Sequence, residues 1–148
     1  MKSQISTPRS TTHPARHFTQ LLSATPRGAR LARLLAVQHL AEWGWPPACP
    51  VSEAAALVVA ELAANAVTHG RVRGRCFRLT LVVDAPTPLR VEVADARGDR
   101  LPQSRTDTAD PITESGRGLL LVDALATCWG TAPYPPSGKT VWACLPLL

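Results

Sequence analysis

The sequence has few aromatic residues, and it lacks both a leading apolar segment and a long apolar run. Aromatic residues make up 5% of its 148 residues, although 45% are hydrophobic. The opening stretch "MKSQISTPRSTTHPAR" has no apolar core, which argues against a secretory signal. No stretch approaches the roughly 18 consecutive apolar residues of a membrane-spanning helix. We therefore expect one cytoplasmic domain with a single core and no membrane association.

Cysteine is scarce and its spacing is uninformative for metal binding. The four cysteines are Cys49, Cys76, Cys128 and Cys144, and no two have the CxxC spacing. This argues against a zinc site and against a disulfide framework. We interpret them as small buried hydrophobic residues of a protein in a reducing cytosol.

The formal net charge is +5, and the arginines that produce it are scattered, with one cluster at residues 71–78, "RVRGRCFR". A basic cluster raises nucleic acid or an acidic protein as a partner. No helix-turn-helix, zinc-finger or RNP signature accompanies this one. We therefore expect a solvated turn with strand-flanking arginines, and no direct binding of nucleic acid.

The first half of the chain predicts a tail, a strand and two helices. Residues 1–15 are rich in Ser, Thr and Pro and predict a disordered tail, so the folded domain spans residues 16–148. "HFTQLLSAT" predicts a strand, and Thr25 followed by Pro26 predicts the start of a helix that Gly44 ends. Ser52 is the predicted cap of a second helix, which runs to about residue 68.

The second half predicts a hairpin, a loop, a helix and two strands. "CFRLTLVVDA" and "TPLRVEVADA" alternate around a short "PTP" turn. The polar stretch from Arg97 to Ser115 predicts a long loop, which is usually functional in a compact domain. "GRGLLLVDALATCWG" predicts a helix that leads into a strand, and "SGKTVWACLPLL" a final strand. The order β-α-α-β-β-loop-α-β-β predicts an α+β two-layer sandwich with helices on one face of the sheet.

Two polar residues interrupt the apolar second helix, "AAALVVAELAANAV". With about 100° of rotation per residue, Glu61 and Asn65 lie on one strip together with Thr68 and His69. Burying an unpaired carboxylate or amide costs several kcal/mol. The strip therefore either lines a cavity or forms a polar edge where the helix meets solvent.

The same pair carries definite chemistry if it lines a cavity. A carboxylate can deprotonate or orient a hydroxyl nucleophile. An amide oxygen is a hard, neutral ligand for Mg²⁺, which also binds substrate phosphates. Because residues four apart share one side of a helix, Glu61 and Asn65 can act on one phosphate end.

Two further motifs follow along the chain. Asp95 ends a predicted strand in "VEVADARGDRLP", where a carboxylate can accept a hydrogen bond from an exocyclic amine such as that of adenine. In "SGRGLLLV", Gly116 and Gly118 lie at a predicted helix start, where backbone amides attract phosphate. Arg117 between them can add a charged contact. Taken singly, each motif is better explained without a ligand, Asp95 by a routine strand-end turn and the glycines by a plain helix start.

In combination, these motifs resemble the GHKL or Bergerat-fold ATPase superfamily. "ELAANAVTHG" resembles its N box, and "DARGD" and "GRGL" resemble its two glycine boxes, before a Gly-Lys-Thr strand. The resemblance spans residues 17–148, and the stand-alone form looks most like the anti-sigma-factor serine/threonine kinases. It implies a two-layer α/β sandwich with a mixed, mostly antiparallel sheet. It also implies ATP and Mg²⁺ as ligands and a sigma factor and an antagonist protein as partners. Whether the first helix packs on the sheet or forms the interface of a homodimer is left open.

By this resemblance, Asn65 would coordinate the Mg²⁺ that bridges the phosphates, and Glu61 would be the base that polarises the attacking hydroxyl. Asp95 would bind the adenine amino group, and Gly98 would let the following loop pass close to the adenine ring.

The remaining assignments fall near the end of the chain. Gly116, Arg117 and Gly118 would hold phosphates at the mouth of the loop, which would be the ATP lid. Thr140 would support the adenine through Asp95 or a water molecule. Lys139 is not a P-loop lysine, because the GxxxxGK[ST] frame is absent.

The first glycine box departs from the family pattern. The family usually has Asp-x-Gly-x-Gly, whereas Gly98 stands one place late and no second glycine follows. This departure favours an alternative, a degenerate nucleotide-binding module that regulates a partner by docking without turnover. No dimerisation helix with a phospho-acceptor histidine precedes the domain, so we do not expect a complete sensor histidine kinase.

Overall fold

A computed structural model describes residues 15–72, 74–98 and 114–147, without the side chains of residues 114–118. The predicted tail, apart from residue 15, and most of the predicted loop lie outside these residues. The elements are β1 Arg16–Ser23, α1 Pro26–Glu42, α2 Pro50–Thr68, β2 Cys76–Val83, β3 Leu89–Asp95, α3 Glu114–Leu125, β4 Cys128–Tyr134 and β5 Gly138–Leu145.

The strands form one sheet in the order β1-β2-β3-β5-β4, and all four of the described pairings are antiparallel. Strand β5, the last in the chain, lies between β3 and β4. The helices pack on one face of this sheet, because the core residues of the strands and the helices form one hydrophobic cluster. The predicted element order and the α+β sandwich are therefore confirmed.

Strict alternation along the strands decides which residues face the helices. The residues of β2 that face the core are Phe77, Leu79, Leu81 and Val83. Strand β5 alternates in the same way, and its buried positions run from Lys139 through Val141 and Ala143 to Leu145. Since side chains alternate with a period of two, every other residue of β5 points away from the helices. Lys139 is thus a charged residue at a core-facing position.

Helix α1 begins and ends as the sequence predicts. The Thr25 hydroxyl accepts a hydrogen bond from the Gly28 amide at 3.1 Å, with Pro26 in the first turn. This satisfies one of the free amides at the helix start. Gly28 lies so close to β1 that an added Cβ would overlap the carbonyl of Ser23. The helix ends before Gly44, whose φ of 109° favours glycine.

Helix α2 starts two residues before its predicted cap. Cys49 precedes the first helical residue, Pro50, and makes no side-chain cap hydrogen bond. Ser52 is buried, and its hydroxyl donates to the carbonyl of Trp45 at 2.9 Å. The prediction for Ser52 is therefore wrong, because its hydroxyl ties the helix to the preceding connection instead of capping the helix.

Helix α2 is apolar enough, by length and composition, to span a membrane, with a mean hydropathy of 1.4 over its best window. The sequence predicts no such helix, because it has no run of about 18 consecutive apolar residues. In the fold, its buried residues belong to the same cluster as the core residues of the sheet. This is the arrangement of a core helix that is apolar over most of its surface.

The four cysteines are all free, but they are less buried than predicted. Cys76 and Cys128 are exposed, whereas Cys49 and Cys144 are half-buried. Cys76 alternates with buried Phe77, and Cys144 with buried Ala143, so both point away from the helices. The expectation of buried cysteines is therefore wrong for the exposed Cys76 and Cys128. Cys49, which precedes α2, is half-buried and packs against the core.

Helix α3 is connected to the sheet through its last turns. The buried Val122 of α3 belongs to the core cluster. The indole nitrogen of Trp129, on β4, donates to Asp123 of α3 at 2.7 Å. This hydrogen bond joins the edge strand β4 to the helix that follows the undescribed loop.

Candidate functional site

The polar strip on α2 is partly covered. Glu61 and Asn65 lie one turn apart and are half-buried, whereas Thr68 and His69 beyond them are exposed. The strip therefore runs from a half-buried end to solvent. Its exposed end agrees with the polar-edge alternative, and the cavity alternative for Glu61 and Asn65 stays a prediction. Its half-buried end can meet a ligand while its exposed end borders the solvent.

The end of α2 packs against Asp95 through Gly70. The backbone carbonyl of Asn65 accepts hydrogen bonds from the amides of His69 at 2.8 Å and Gly70 at 3.2 Å. Gly70 is buried directly against Asp95, and an added Cβ would overlap all three atoms of its carboxyl group. Only glycine permits this approach. In the sequence, Gly70 is the last residue of the N-box stretch "ELAANAVTHG", but nothing there predicts its contact with Asp95.

Asp95 forms a buried ion pair with Lys139. The two residues are directly opposite each other in the pairing of β3 with β5. Their side chains are only 4% and 6% exposed, with 2.9 Å between the Lys139 ammonium and one oxygen of Asp95. The ammonium also donates to the second oxygen at 3.1 Å and to the carbonyl of Arg97 at 2.8 Å.

Thr140 is not directly opposite Asp95. It pairs with Ala94 and alternates with buried Lys139 and Val141, so its side chain points away from the helices. The predicted support of the adenine by Thr140, through Asp95 or a water molecule, stays a prediction. The residue of β5 directly opposite Asp95 is Lys139. Counting the alternation of β5 back from its apolar residues would have shown from the sequence that Lys139 faces the helices.

The electrostatics of Asp95 reflect two opposing effects. Burial raises the pKa of the Asp95 carboxyl above its ordinary value, because the charged form is poorly solvated there. Hydrogen bonds from Lys139 and from the Arg97 amide, at 2.8 Å, favour the charged form and lower the pKa in part. Desolvation is the larger effect. The charged form of Asp95 therefore depends on the hydrogen bonds from Lys139 and from the Arg97 amide.

Gly98 approaches the turn between β4 and β5. Its amide donates to the carbonyl of Ser137 at 2.8 Å, and an added Cβ would lie 2.7 Å from the carbonyl oxygens of Ser137 and Gly138. Its close approach is therefore to backbone. The predicted role of Gly98 next to an adenine stays a prediction.

The second glycine motif lies within a helix. Helix α3 begins at Glu114, so Gly116, Arg117 and Gly118 belong to its first two turns and not to a preceding loop. Backbone amides in the first turn of a helix lack intrahelical partners and can bind an anion. The assignment of these three residues to phosphate binding stays a prediction.

The donor set suits a magnesium ion that is shared with phosphates. The described residues contain no group of three or more His, Cys, Asp and Glu side chains that could hold a metal alone. A half-buried amide oxygen at Asn65, one turn from the Glu61 carboxylate, offers hard oxygen donors. Mg²⁺ is typically bound through one or two protein oxygens together with water and substrate phosphates, so these residues fit.

A cavity of about 290 Å³ lies close to Asp95 but mainly on the uncovered face of the sheet. Its walls include Leu21, Arg78 and Tyr134, and the guanidinium of Arg78 donates to the hydroxyl of Tyr134 at 3.0 Å. Glu61 and Asn65 do not line it. This cavity is therefore distinct from the polar strip on α2.

Comparison with known proteins places this arrangement in a family. The profile described as histidine kinase-like ATPase domain matches residues 22–145. No curated protein matches the sequence. The crystal structure of the RsbU and RsbW domains of Rv1364c from Mycobacterium tuberculosis has a similar fold, with a TM-score of 0.64 and 21% identity.

That match covers 90% of this chain but 32% of the other, so this chain spans about a third of that protein's length. At this identity, the likeness shows a shared fold. The family profile, in contrast, extends from the end of β1 to the last residue of β5 and includes Glu61, Asn65 and Asp95. The chain therefore belongs to the histidine kinase-like ATPase family.

Proposed function

We propose that the protein is an ATP-dependent serine/threonine kinase of the anti-sigma-factor type, which phosphorylates an antagonist protein and regulates sigma-factor-dependent transcription. The observation that carries this proposal is the half-buried Glu61–Asn65 pair at the end of α2, with Gly70 packed on Asp95. The family is one of ATPase domains, which implies nucleotide binding. The similar crystal structure contains an RsbW domain, which supports the anti-sigma assignment for this fold.

The nucleotide would lie with its base toward Asp95 and its phosphates toward α2. Asp95 would accept a hydrogen bond from the adenine amino group, and Asn65 would bind Mg²⁺ through its amide oxygen. Bound Mg²⁺ would supply neutralisation of the phosphate charge. The first two turns of α3, with Gly116, Arg117 and Gly118, would hold the phosphates at the other side.

Glu61 would act on the attacking hydroxyl. The serine or threonine oxygen forms a bond to the γ-phosphorus, the bond to the β-phosphate oxygen breaks, and ADP leaves. The hydroxyl proton passes to the Glu61 carboxylate. Such a reaction needs mainly positioning and charge neutralisation, so a carboxylate, an amide ligand and backbone amides are a sufficient set.

The partners follow from the resemblance alone. The protein would bind a sigma factor and a small antagonist protein in the cytoplasm. Phosphorylation of the antagonist would weaken its binding and release the kinase domain for the sigma factor. The added phosphate acts here through its charge at an interface.

Asn65→Ala tests the proposal. We expect phosphate transfer to a candidate antagonist to fall at least about a hundredfold, because the Mg²⁺ loses its amide ligand. The metal matters most in the transition state, where negative charge develops on the phosphate oxygens. The measurement is transfer of radioactive phosphate from Mg·ATP. Leu57→Ala is the matched control, since it makes the same kind of truncation at an exposed position of the same helix. Equal transfer by both variants would contradict the assignment.

The second candidate is a regulatory module that docks a partner without turnover. The buried pair of Asp95 and Lys139 favours it, because the carboxylate assigned to binding the adenine already has a cation from the protein beside it. Calorimetry with Mg·ATP, followed by a turnover assay with a candidate antagonist, separates the two. Nucleotide binding without transfer or hydrolysis would favour the module.

A further inference from the structure

The Lys139 ammonium is surrounded by oxygen acceptors inside the protein. An ammonium group has three donors. Within 3.1 Å, its nitrogen meets three acceptors, the two oxygens of Asp95 and the carbonyl of Arg97. The group is thus held on all sides at the strand end.

The carboxylate of Asp95 is correspondingly occupied. One oxygen accepts hydrogen bonds from both Lys139 and the Arg97 amide. The other oxygen lies 2.9 Å from the Lys139 ammonium in the ion pair and packs against Gly70. A carboxylate can accept about four hydrogen bonds. Two of these positions are taken on the first oxygen, and the second oxygen is crowded by the ammonium and by Gly70.

We infer that Lys139 is an internal competitor for the base-recognising carboxylate, so that a purine nucleotide binds with its base on Asp95 only when the Lys139 ammonium moves away. This inference rests on the proposed function, in which Asp95 receives the adenine amino group. It adds a residue that limits nucleotide affinity from within the site.

The exchange is unfavourable for a physical reason. A charged donor on a buried carboxylate forms a stronger hydrogen bond than a neutral amine. Replacing the ammonium by an adenine amino group therefore loses attraction at Asp95. It also requires a new environment for a charge that is now buried, and the carbonyl of Arg97 loses its donor. Both effects lower the affinity of the wild-type protein.

Lys139→Thr is the decisive variant. Threonine suits a strand, its hydroxyl can still donate to Asp95, and its smaller side chain vacates the space of the ammonium. We expect the variant to bind Mg·ATP at least about tenfold more tightly than the wild-type protein in calorimetry. Arg90→Thr is the control, because it removes one cation from the neighbouring strand at a half-buried position on the uncovered face.

A measurement on the unaltered protein complements the variant. The chain has two lysines, Lys2 and Lys139, so acetylation at each is resolved by mass spectrometry of peptides. We expect brief treatment with acetic anhydride to leave Lys139 largely unmodified in the free protein. Saturating Mg·ATP should raise its modification severalfold, because the ammonium must leave Asp95.

The outcomes separate this inference from the proposed function. Tighter binding by Lys139→Thr, without phosphate transfer to an antagonist, would support the competitor and contradict the kinase. If the wild-type protein transfers phosphate and binds Mg·ATP as tightly as folded Lys139→Thr does, the inference about Lys139 is wrong. The proposed kinase activity is then supported. A folded Lys139→Thr that binds no Mg·ATP at millimolar concentration would overturn both.

Discussion

At the scale of single residues, the polar exceptions in apolar segments carry most of the information about the site. Glu61 and Asn65 are identifiable in the sequence because they interrupt an apolar helix, and Asp95 because it ends an apolar strand. Lys139 and Thr140 are neighbours, and a shift of one residue along a strand moves a side chain to the other face of the sheet. The contact between Asp95 and Lys139 joins residues from distant parts of the chain, and no local pattern in the sequence predicts it.

The buried pair has a consequence for stability that depends on pH. Lys139→Met should destabilise the protein by about 3–5 kcal/mol at pH 7, because Asp95 loses the cation that compensates its buried charge. The measurement is urea unfolding followed by circular dichroism. The double variant Asp95→Asn/Lys139→Met is the control, since it replaces the pair by neutral groups of similar shape.

The sign of the pH effect follows from the raised pKa of Asp95. Its carboxyl binds a proton more tightly in the folded chain than in the unfolded chain, where the ordinary value is 3.8. Stability from this group is therefore present at low pH and lost as the pH rises from 3.8 through the folded pKa. Without the ammonium that pKa rises further, so the deficit of Lys139→Met should shrink at about pH 5. An equal deficit at both pH values would contradict this explanation.

At the scale of helices and strands, alternation and capping predicted most of the fold. Strand β5 and strand β2 alternate without interruption, and the Thr25-Pro26 start of α1 combines a side-chain acceptor with a preset φ. The predicted cap at Ser52 is wrong because serine is also a good buried donor, and Pro50 begins the helix earlier. The prediction that Cys76 and Cys128 are buried is wrong because the sequence does not show which face of the sheet the helices cover.

Thr25→Ala should destabilise the protein by about 1 kcal/mol, because the Gly28 amide at the start of α1 loses its acceptor. Chemical denaturation measures the loss. Thr25→Ser keeps the hydroxyl and should remain within a few tenths of a kcal/mol of the wild-type value. A loss of similar size in both variants would show that the methyl group, and not the cap, accounts for the effect.

At the scale of the whole molecule, the family and the layered fold were predictable, whereas the ligand environment was not. The order of elements leaves few ways to cover one face of a five-stranded sheet. The pocket around Asp95 depends on close approaches of backbone, at Gly70 and Gly98, that no local pattern encodes. The motif assignments at Gly98, Gly116, Arg117 and Gly118 therefore remain predictions.

The net charge of +5 should not make the protein a nucleic-acid binder. In the described part of the chain, the basic side chains lie on several different elements. Arg27 and Arg30 lie on α1, Arg71 and Arg75 lie near the start of β2, and Arg78 is engaged with Tyr134. We expect no mobility shift of duplex DNA at physiological ionic strength, with weak binding only at low salt. A shift that persists at physiological salt would contradict this expectation.

The hydrogen bond from Trp129 to Asp123 gives the protein an intrinsic optical reporter. The emission of an indole depends on the polarity around its ring and on quenching by groups nearby. Because this indole on β4 is attached to α3, a displacement of α3 relative to the sheet would change its emission wavelength and lifetime. With Trp43, Trp45 and Trp142 replaced by phenylalanine, stopped-flow fluorescence would time the response of α3 to nucleotide or partner without any attached label.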